Sequence, residues 1–148
     1  MNRYKICTAT ADSLPLRKLL FFAMATLLFY TSGFSQREIP LNEEKVDSII
    51  HSLDTLGTQA KKVKLLTSTA GQNRYTPVTR KLIDKALEIS ESANDYKLLA
   101  HSHYSLGNYH YFNSKTDSCL SSLDRASNYL KDVSDPLLEA SVLSTRGG

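Results

Sequence analysis

Four side chains in one stretch have the types for metal or nucleophilic chemistry: His101, His103, His110 and Cys119. Imidazole nitrogen and thiolate sulfur are zinc ligands, and a zinc site takes four of them, or three and a water. On a helix, His103 and His110 fall seven residues apart on one face, and Cys119 on the following helix faces back toward them. His101 is two residues from His103 and points elsewhere, so the ligand set is incomplete. The plainer assignment makes His103 and His110 packing side chains and Cys119 a small buried residue. The alternative is a helical bundle with a His/Cys metal site. No Gly-rich phosphate loop, Cys-x-x-Cys, His-Glu-x-x-His or Gly-x-Ser-x-Gly occurs in the chain, so no catalytic residue, metal site or cofactor is assigned and enzyme activity is not expected.

Charge bears on the partner class. The 148 residues carry a formal charge of +3. Residues 1–35 contain Arg3, Lys5, Arg17 and Lys18 against Asp12, whereas residues 36–148 balance fourteen basic with fourteen acidic side chains. The excess therefore lies wholly in the first segment. A nucleic-acid partner is disfavoured, because phosphate binding needs a basic patch on the folded part.

That first segment has the order of a secretory signal. Arg17-Lys18 precede an uncharged run, Leu19–Tyr30, and the small residues Gly33 and Ser35 follow. Twelve apolar residues make about 18 Å of helix, against roughly 30 Å of bilayer core, which favours a cleaved signal over a retained anchor. Cleavage is expected before Gln36, giving an exported, periplasmic or envelope-associated protein. Only Cys119 would then remain, so no internal disulfide could form.

The remainder reads as helices joined by short turns. Asn42 caps a first helix with the stripe Val46, Ile49, Ile50, Leu53, and Gly57 ends that unit. A second helix from about Thr58 to Ala70 places Ala60, Val63, Leu66 and Ala70 on one face, and Gly71-Gln72-Asn73 breaks it. Thr76-Pro77 restarts the chain, with Thr76 as cap. Asn94-Asp95 caps a helix over about 96–112, Thr116 or Asp117 caps one over 117–130, and Asp135-Pro136 begins the last. No segment after the leader alternates with period two. The fold class is all-α, and helices this short must stack as antiparallel hairpins to bury their apolar faces.

An internal repeat refines this. Shifting the chain by 40 residues lays 78–107 on 118–147 without a gap: Asp84 meets Asp124, Ala86 Ala126, Asp95 Asp135, Leu98 Leu138, Ala100 Ala140 and Gly107 Gly147. The matches are caps, small residues and buried aliphatics, the features that stacked units must share. One period earlier, Ala60 falls on Ala100 and Leu66 on Leu106.

The stretch His103-x-x-Leu106-Gly107-x-x-His110, followed by Cys119-x-x-x-Leu123-x-x-Ala126, resembles a tetratricopeptide repeat. It departs from that family in having His for two aromatics, Cys for Ala, Leu for Phe, and Lys131 in place of the closing proline. The resemblance implies a TPR-like α-solenoid in which Leu106, Gly107, Cys119, Leu123 and Ala126 are the repeat-packing residues. Gly107 would leave room for the second helix, and Cys119 and Ala126 are small where helices cross. If Leu99, His103, Leu106 and His110 pack inward, the neighbouring stripe is His101, Tyr104, Asn108 and Tyr111. In the resembled family that stripe lines a concave groove for a protein or peptide partner.

With its signal and ill-matched first unit, the whole chain is similar to the exported N-terminal region of bacterial TPR-type sensor histidine kinases and regulators. This implies a binding scaffold serving signalling or assembly, or else a structural spacer or dimerisation region of a membrane kinase. Contact with a membrane would come only through the signal or a downstream segment. The organisation read from sequence is a signal over 1–35, a lead-in and first helix over 36–57, and a degenerate hairpin over 58–95. A second hairpin over 96–135 and the truncated start of a further repeat over 136–148 follow. The last hairpin would then present Leu120, Leu123 and Leu130 to a missing neighbour.

Overall fold

The structure, a computed structural model, describes residues 41–147. The signal expected over 1–35 and the cleavage expected before Gln36 lie outside the described residues. The described residues form six α-helices and no strand. None of these helices is long and apolar enough to cross a membrane.

Helix α1, Glu43–Ser52, runs into a short 3-10 turn, Leu53–Thr55. Asn42 Oδ1 accepts the Lys45 N–H at 2.9 Å, and Glu43 and Glu44 sit in the positive first turn. Helix α2, Gln59–Gln72, is capped by Thr58 Oγ1, which accepts the Lys61 N–H at 3.3 Å. It runs through Gly71 and Gln72 instead of breaking there. Asn73 ends it, because its backbone N–H and its side-chain amide both return to the Thr69 carbonyl. Of the expected face, Val63, Leu66 and Ala70 are buried and Ala60 is exposed.

Helix α3 spans Thr79–Ala93. Thr76 does not cap it. The Thr76 and Thr79 hydroxyls both donate to the Asn73 carbonyl, and Thr76–Val78 form a tight turn that feeds the helix. Asn94 closes α3 in the left-handed region at φ 48°, and Asp95 opens α4, Tyr96–Phe112, by accepting from Lys97 N and Leu98 N at 2.9 and 3.1 Å. Helix α5 is Thr116–Leu130. Its cap position is Lys115, and Thr116 and Asp117 lie inside the first turn. Ser114 at φ 56° and a bond from Lys115 N–H to the His110 carbonyl reverse the chain one residue sooner than the sequence suggests. Helix α6, Pro136–Gly147, begins as expected: Asp135 Oδ1 accepts the Leu138 N–H at 3.2 Å, and Pro136 supplies no N–H.

Each helix from α2 onward packs on the next, and α4 also packs on both α2 and α6. The α4–α5 contacts run antiparallel: His103 stacks with Tyr129, Gly107 faces Leu123, and His110 shares a cleft with Ser118. Between α3 and α4 a buried bond joins Ser90 Oγ and Ser102 Oγ at 2.9 Å. Ser90 already donates to the Ala86 carbonyl, so the shared proton comes from Ser102. Helix α1 lies against α3, tied by an ion pair of Glu43 with Lys81.

Burial follows the 40-residue spacing. Thr79, Leu82, Ile83 and Ala86 on α3 are buried, and so are Cys119, Ser122, Leu123 and Ala126 on α5. Leu98 and Leu138 are both buried behind their aspartate caps. Fully burying a leucine contributes about 1.5–3 kcal/mol, so Leu66, Leu82, Ile83 and Leu123 carry much of the core. Leu123 lies beneath Gly107 and is not on an outer face. The exposed leucines are Leu120, Leu137 and Leu143, on α5 and α6.

Candidate functional site

Helix α4 stands between α2 and α6, and the three together enclose a groove of about 610 Å³. Two periodicities of α4 explain its two faces. Leu99, His103 and His110 turn inward and are buried, while His101, Tyr104, Asn108 and Tyr111 follow one position round the helix. All four of the latter line the groove. Tyr111 is 48% exposed, and Tyr104 and Asn108 are half-buried.

The four residues do not stand in it alike. His101 is held at the α4–α6 seam, where its Nε2 lies 3.3 Å from Asp135 Oδ2. Lys97 Nζ meets the same oxygen at 3.0 Å. These partners and the Leu138 N–H hold the Asp135 carboxyl below the usual carboxylate range, with the Lys97 bond the largest cause. Asn108 Oδ1 lies 3.5 Å from Thr145 Oγ1 of α6. Tyr104 and Tyr111 are the freest of the set and offer flat rings with polar edges.

Sequence reasoning missed the α2 side and the end of the groove. Lys64, Thr67, Ser68 and Gly71 form the wall opposite α6, and Arg74 follows them. The Arg74 guanidinium lies over the Phe112 ring, 4.4 Å from its centroid, and its Nε donates to the Gly71 carbonyl at 2.9 Å. Tyr75 and Tyr111 meet Phe112 edge-on at 5.3 and 5.2 Å. Asn113 Nδ2 donates to the Arg74 carbonyl at 3.2 Å, which fixes this corner to the end of α4. The available signal was compositional: α2 and α4 contain no aspartate or glutamate.

The His/Cys set is not brought together. His101 faces the groove, whereas His103 and His110 face α5 and line a second cleft with Asp117, Ser121 and Arg125. Cys119 is buried in the α4–α5 junction, and burial pushes its thiol up. Among the described residues no group of three or more His, Cys, Asp or Glu side chains is placed to hold a metal ion. His103 Nδ1 and His110 Nδ1 are buried without a hydrogen-bond partner among the described residues. Burial is the main cause that lowers both imidazole pKa values. Arg125 adds to it at His103, and Arg80 and Lys115 add to it at His110, where Asp84 opposes them.

The residues assigned to helix packing lie at that junction. A Cβ on Gly107 would stand 2.8 Å from Leu123 Cδ2 and 3.0 Å from Leu123 Cγ. Cys119, Leu123 and Ala126 are buried, and Leu106 is half-buried.

No family model matches the chain, and no curated protein or solved structure does either.

Proposed function

We propose that this chain is a non-catalytic scaffold of the tetratricopeptide-repeat type, whose α2–α4–α6 groove takes a segment of a partner protein. The observation that carries the reading is the groove itself, which gathers His101, Tyr104, Asn108 and Tyr111 in one surface. The 40-residue recurrence of buried positions and the close Gly107–Leu123 approach support the repeat assignment. The Arg17-Lys18 flank and the apolar run after it support export to the envelope, where such a scaffold would serve sensing or assembly. N-terminal sequencing of envelope protein should start at or near Gln36; a chain retaining Leu19–Tyr30 would refute the cleavage.

The binding reading is tested by selection from a random peptide library on the full chain. Selected peptides should slow amide exchange over 101–112 and weaken on Tyr104→Ala. Peptides that protect only the α5 surface, or no enrichment at all, would refute the groove.

A spacer or dimerisation role is the second reading, favoured by Leu137 and Leu143, which are 83% and 59% exposed on α6. Sedimentation of the chain and of a Leu143→Glu variant distinguishes it: a dimer lost on substitution supports the second reading, and a monomer in both supports the first.

A further inference from the structure

The balanced charge of residues 36–148 conceals a segregation that appears once the helices are placed. Helix α2 carries Lys61, Lys62 and Lys64 with no acid, and α4 carries Lys97 with no acid. Every acidic residue of the described chain lies outside these two helices. The intrahelical ion pairs are elsewhere: Arg80–Asp84 and Lys85–Glu88 are both on α3. Lys97 is occupied by Asp135, together with His101. Lys64 and Arg74 line the groove, and neither forms an ion pair among the described residues. Among the described residues no aspartate or glutamate lines it.

We propose that the groove selects acidic, extended peptide segments, with carboxylates engaged by Lys64 and Arg74 and an intervening side chain on Tyr104 and Tyr111. This rests on the reading of the groove as a partner site and adds its specificity. Arg74 is already oriented: its Nε donates to the Gly71 carbonyl and its guanidinium carbon lies over the Phe112 ring, which leaves the two terminal amino groups to meet a carboxylate. Little side-chain entropy remains to be lost there. Lys64 is on α2 and Arg74 lies two residues past its end; about 12 Å of helix plus the turn separates them along the chain, which an extended peptide spans in roughly four or five residues. The selected segments should therefore carry two acids at about that separation. Asn108, Ser105, Ser144 and Thr145 offer hydrogen-bonding groups to the peptide backbone between them. A nucleic acid fits less well. Its phosphates recur along the whole strand and require a continuous row of cations, where this groove supplies two.

The experiment compares peptides selected from a random 12-residue library by the wild-type chain, by Lys64→Glu, and by Lys64→Glu/Arg74→Glu. Wild type should enrich peptides of net negative charge with acids four or five apart. Those peptides should lose roughly tenfold or more in affinity to the double variant, and weaken as salt is raised. The double variant should enrich basic peptides instead. If Arg74→Glu disturbs the Phe112 corner, seen as lost helical signal, Lys64→Glu alone still decides, through a smaller loss confined to acidic peptides. Neutral or basic peptides that depend on Tyr104 would overturn the charge inference and leave the groove standing. Acidic peptides indifferent to Tyr104→Ala would overturn both. Tighter binding of a dodecathymidylate, abolished in the double variant, would overturn the peptide assignment in favour of a single-stranded nucleic acid.

Discussion

The α2–α3 and α4–α5 pairs are built on the same 40-residue register and solve their junctions with opposite chemistry. At matching places the first has Val63, Thr67 and Ala70, and the second has His103, Gly107 and His110. In the first, Val63, Leu66 and Ala70 meet Leu82, Ile83 and Ala86 in an apolar interior, and the Thr67 hydroxyl is satisfied by the Val63 carbonyl at 2.9 Å. In the second, Gly107 lies against Leu123, and two imidazoles are buried, each with a nitrogen that has no partner among the described residues. An unsatisfied buried polar atom costs about 1–3 kcal/mol, so the second pair forgoes stability that the first retains. The difference shows that one register can hold the fold with aliphatics in one pair and with buried titratable groups beside a close glycine contact in the other.

The largest effect should come from filling that contact. Gly107→Leu places a side chain where Leu123, itself fully buried, already stands within 3 Å. Overpacking of this kind costs about 1–3 kcal/mol. Thermal unfolding should show a lower midpoint, and adding Leu123→Ala should recover part of the loss. An unchanged midpoint would mean that α4 and α5 do not meet at Gly107.

Acid should separate the two pairs next. His103 and His110 have folded pKa values below their ordinary 6.5, chiefly through burial. The unfolded chain therefore binds more protons as pH falls through that value, and stability drops from neutral pH downward toward the folded pKa values. Above the ordinary value the loss is absent. Replacing both with their counterparts, His103→Val and His110→Ala, should flatten the midpoint between pH 7 and 5. Asp135 acts in a separate, more acidic window: its pKa is also lowered, but because the charged form is stabilised rather than penalised by burial. Its lowered pKa gives stability that is present above the carboxylate's ordinary 3.8 and is lost only as pH falls below it. A midpoint that stays constant from pH 7 to 5 in the wild-type chain would show that the imidazoles find partners.

Much of this architecture is legible in the residues themselves. Asn42, Asp95 and Asp135 announce helix starts because their side chains have one local use, to accept an orphan N–H. Gly107 marks close packing, and the stripe from His101 to Tyr111 falls on one surface because helical spacing leaves no other arrangement. Thr76 and Thr116 misled, since a threonine hydroxyl serves a turn as readily as a cap. The α2 wall of the groove was hidden for a different reason. Lys64 and Arg74 are far from α4 in sequence, and periodicity within one helix says nothing about which helix will lie beside it. The acid-free composition of α2 and α4 was visible, but its meaning depended on their adjacency.

The two aspartate caps offer a smaller test. Among the described residues the Asp95 side chain accepts only the N–H groups of Lys97 and Leu98, whereas the Asp135 side chain also binds Lys97 and His101 across the seam. Asp95→Ala should cost about 1 kcal/mol of global stability, the usual worth of a lost cap. Asp135→Ala should mainly speed amide exchange over 136–147 and release His101 into the groove. Asp135→Asn keeps an acceptor for the Leu138 N–H, so it should restore part of the protection while leaving Lys97 without its charge partner. Equal exchange in all three proteins would show that the seam is held by Leu138 and Val142 alone.

The smallest effect belongs to the other helical glycine, and its sign is opposite. Gly71 lies in the last turn of α2 without a positive φ, and a Cβ there would meet nothing within 4 Å. No packing reason requires a glycine at this place. Alanine restricts the unfolded chain and favours the helix, which together are worth roughly 0.5–1 kcal/mol. Gly71→Ala should therefore raise the melting midpoint slightly, where any side chain at Gly107 must displace Leu123. Gly71 also borders the groove, and its carbonyl holds Arg74, so the added methyl tests whether the end of α2 comes close to a bound peptide. The carbonyl stays in place in the alanine variant, so peptide affinity should be unchanged within about twofold, about 0.4 kcal/mol. A stabilised protein that binds as before would show that the last turn of α2 tolerates a side chain beside the groove. A stabilised protein that binds more weakly would mean that the glycine is kept for close approach of the partner's backbone.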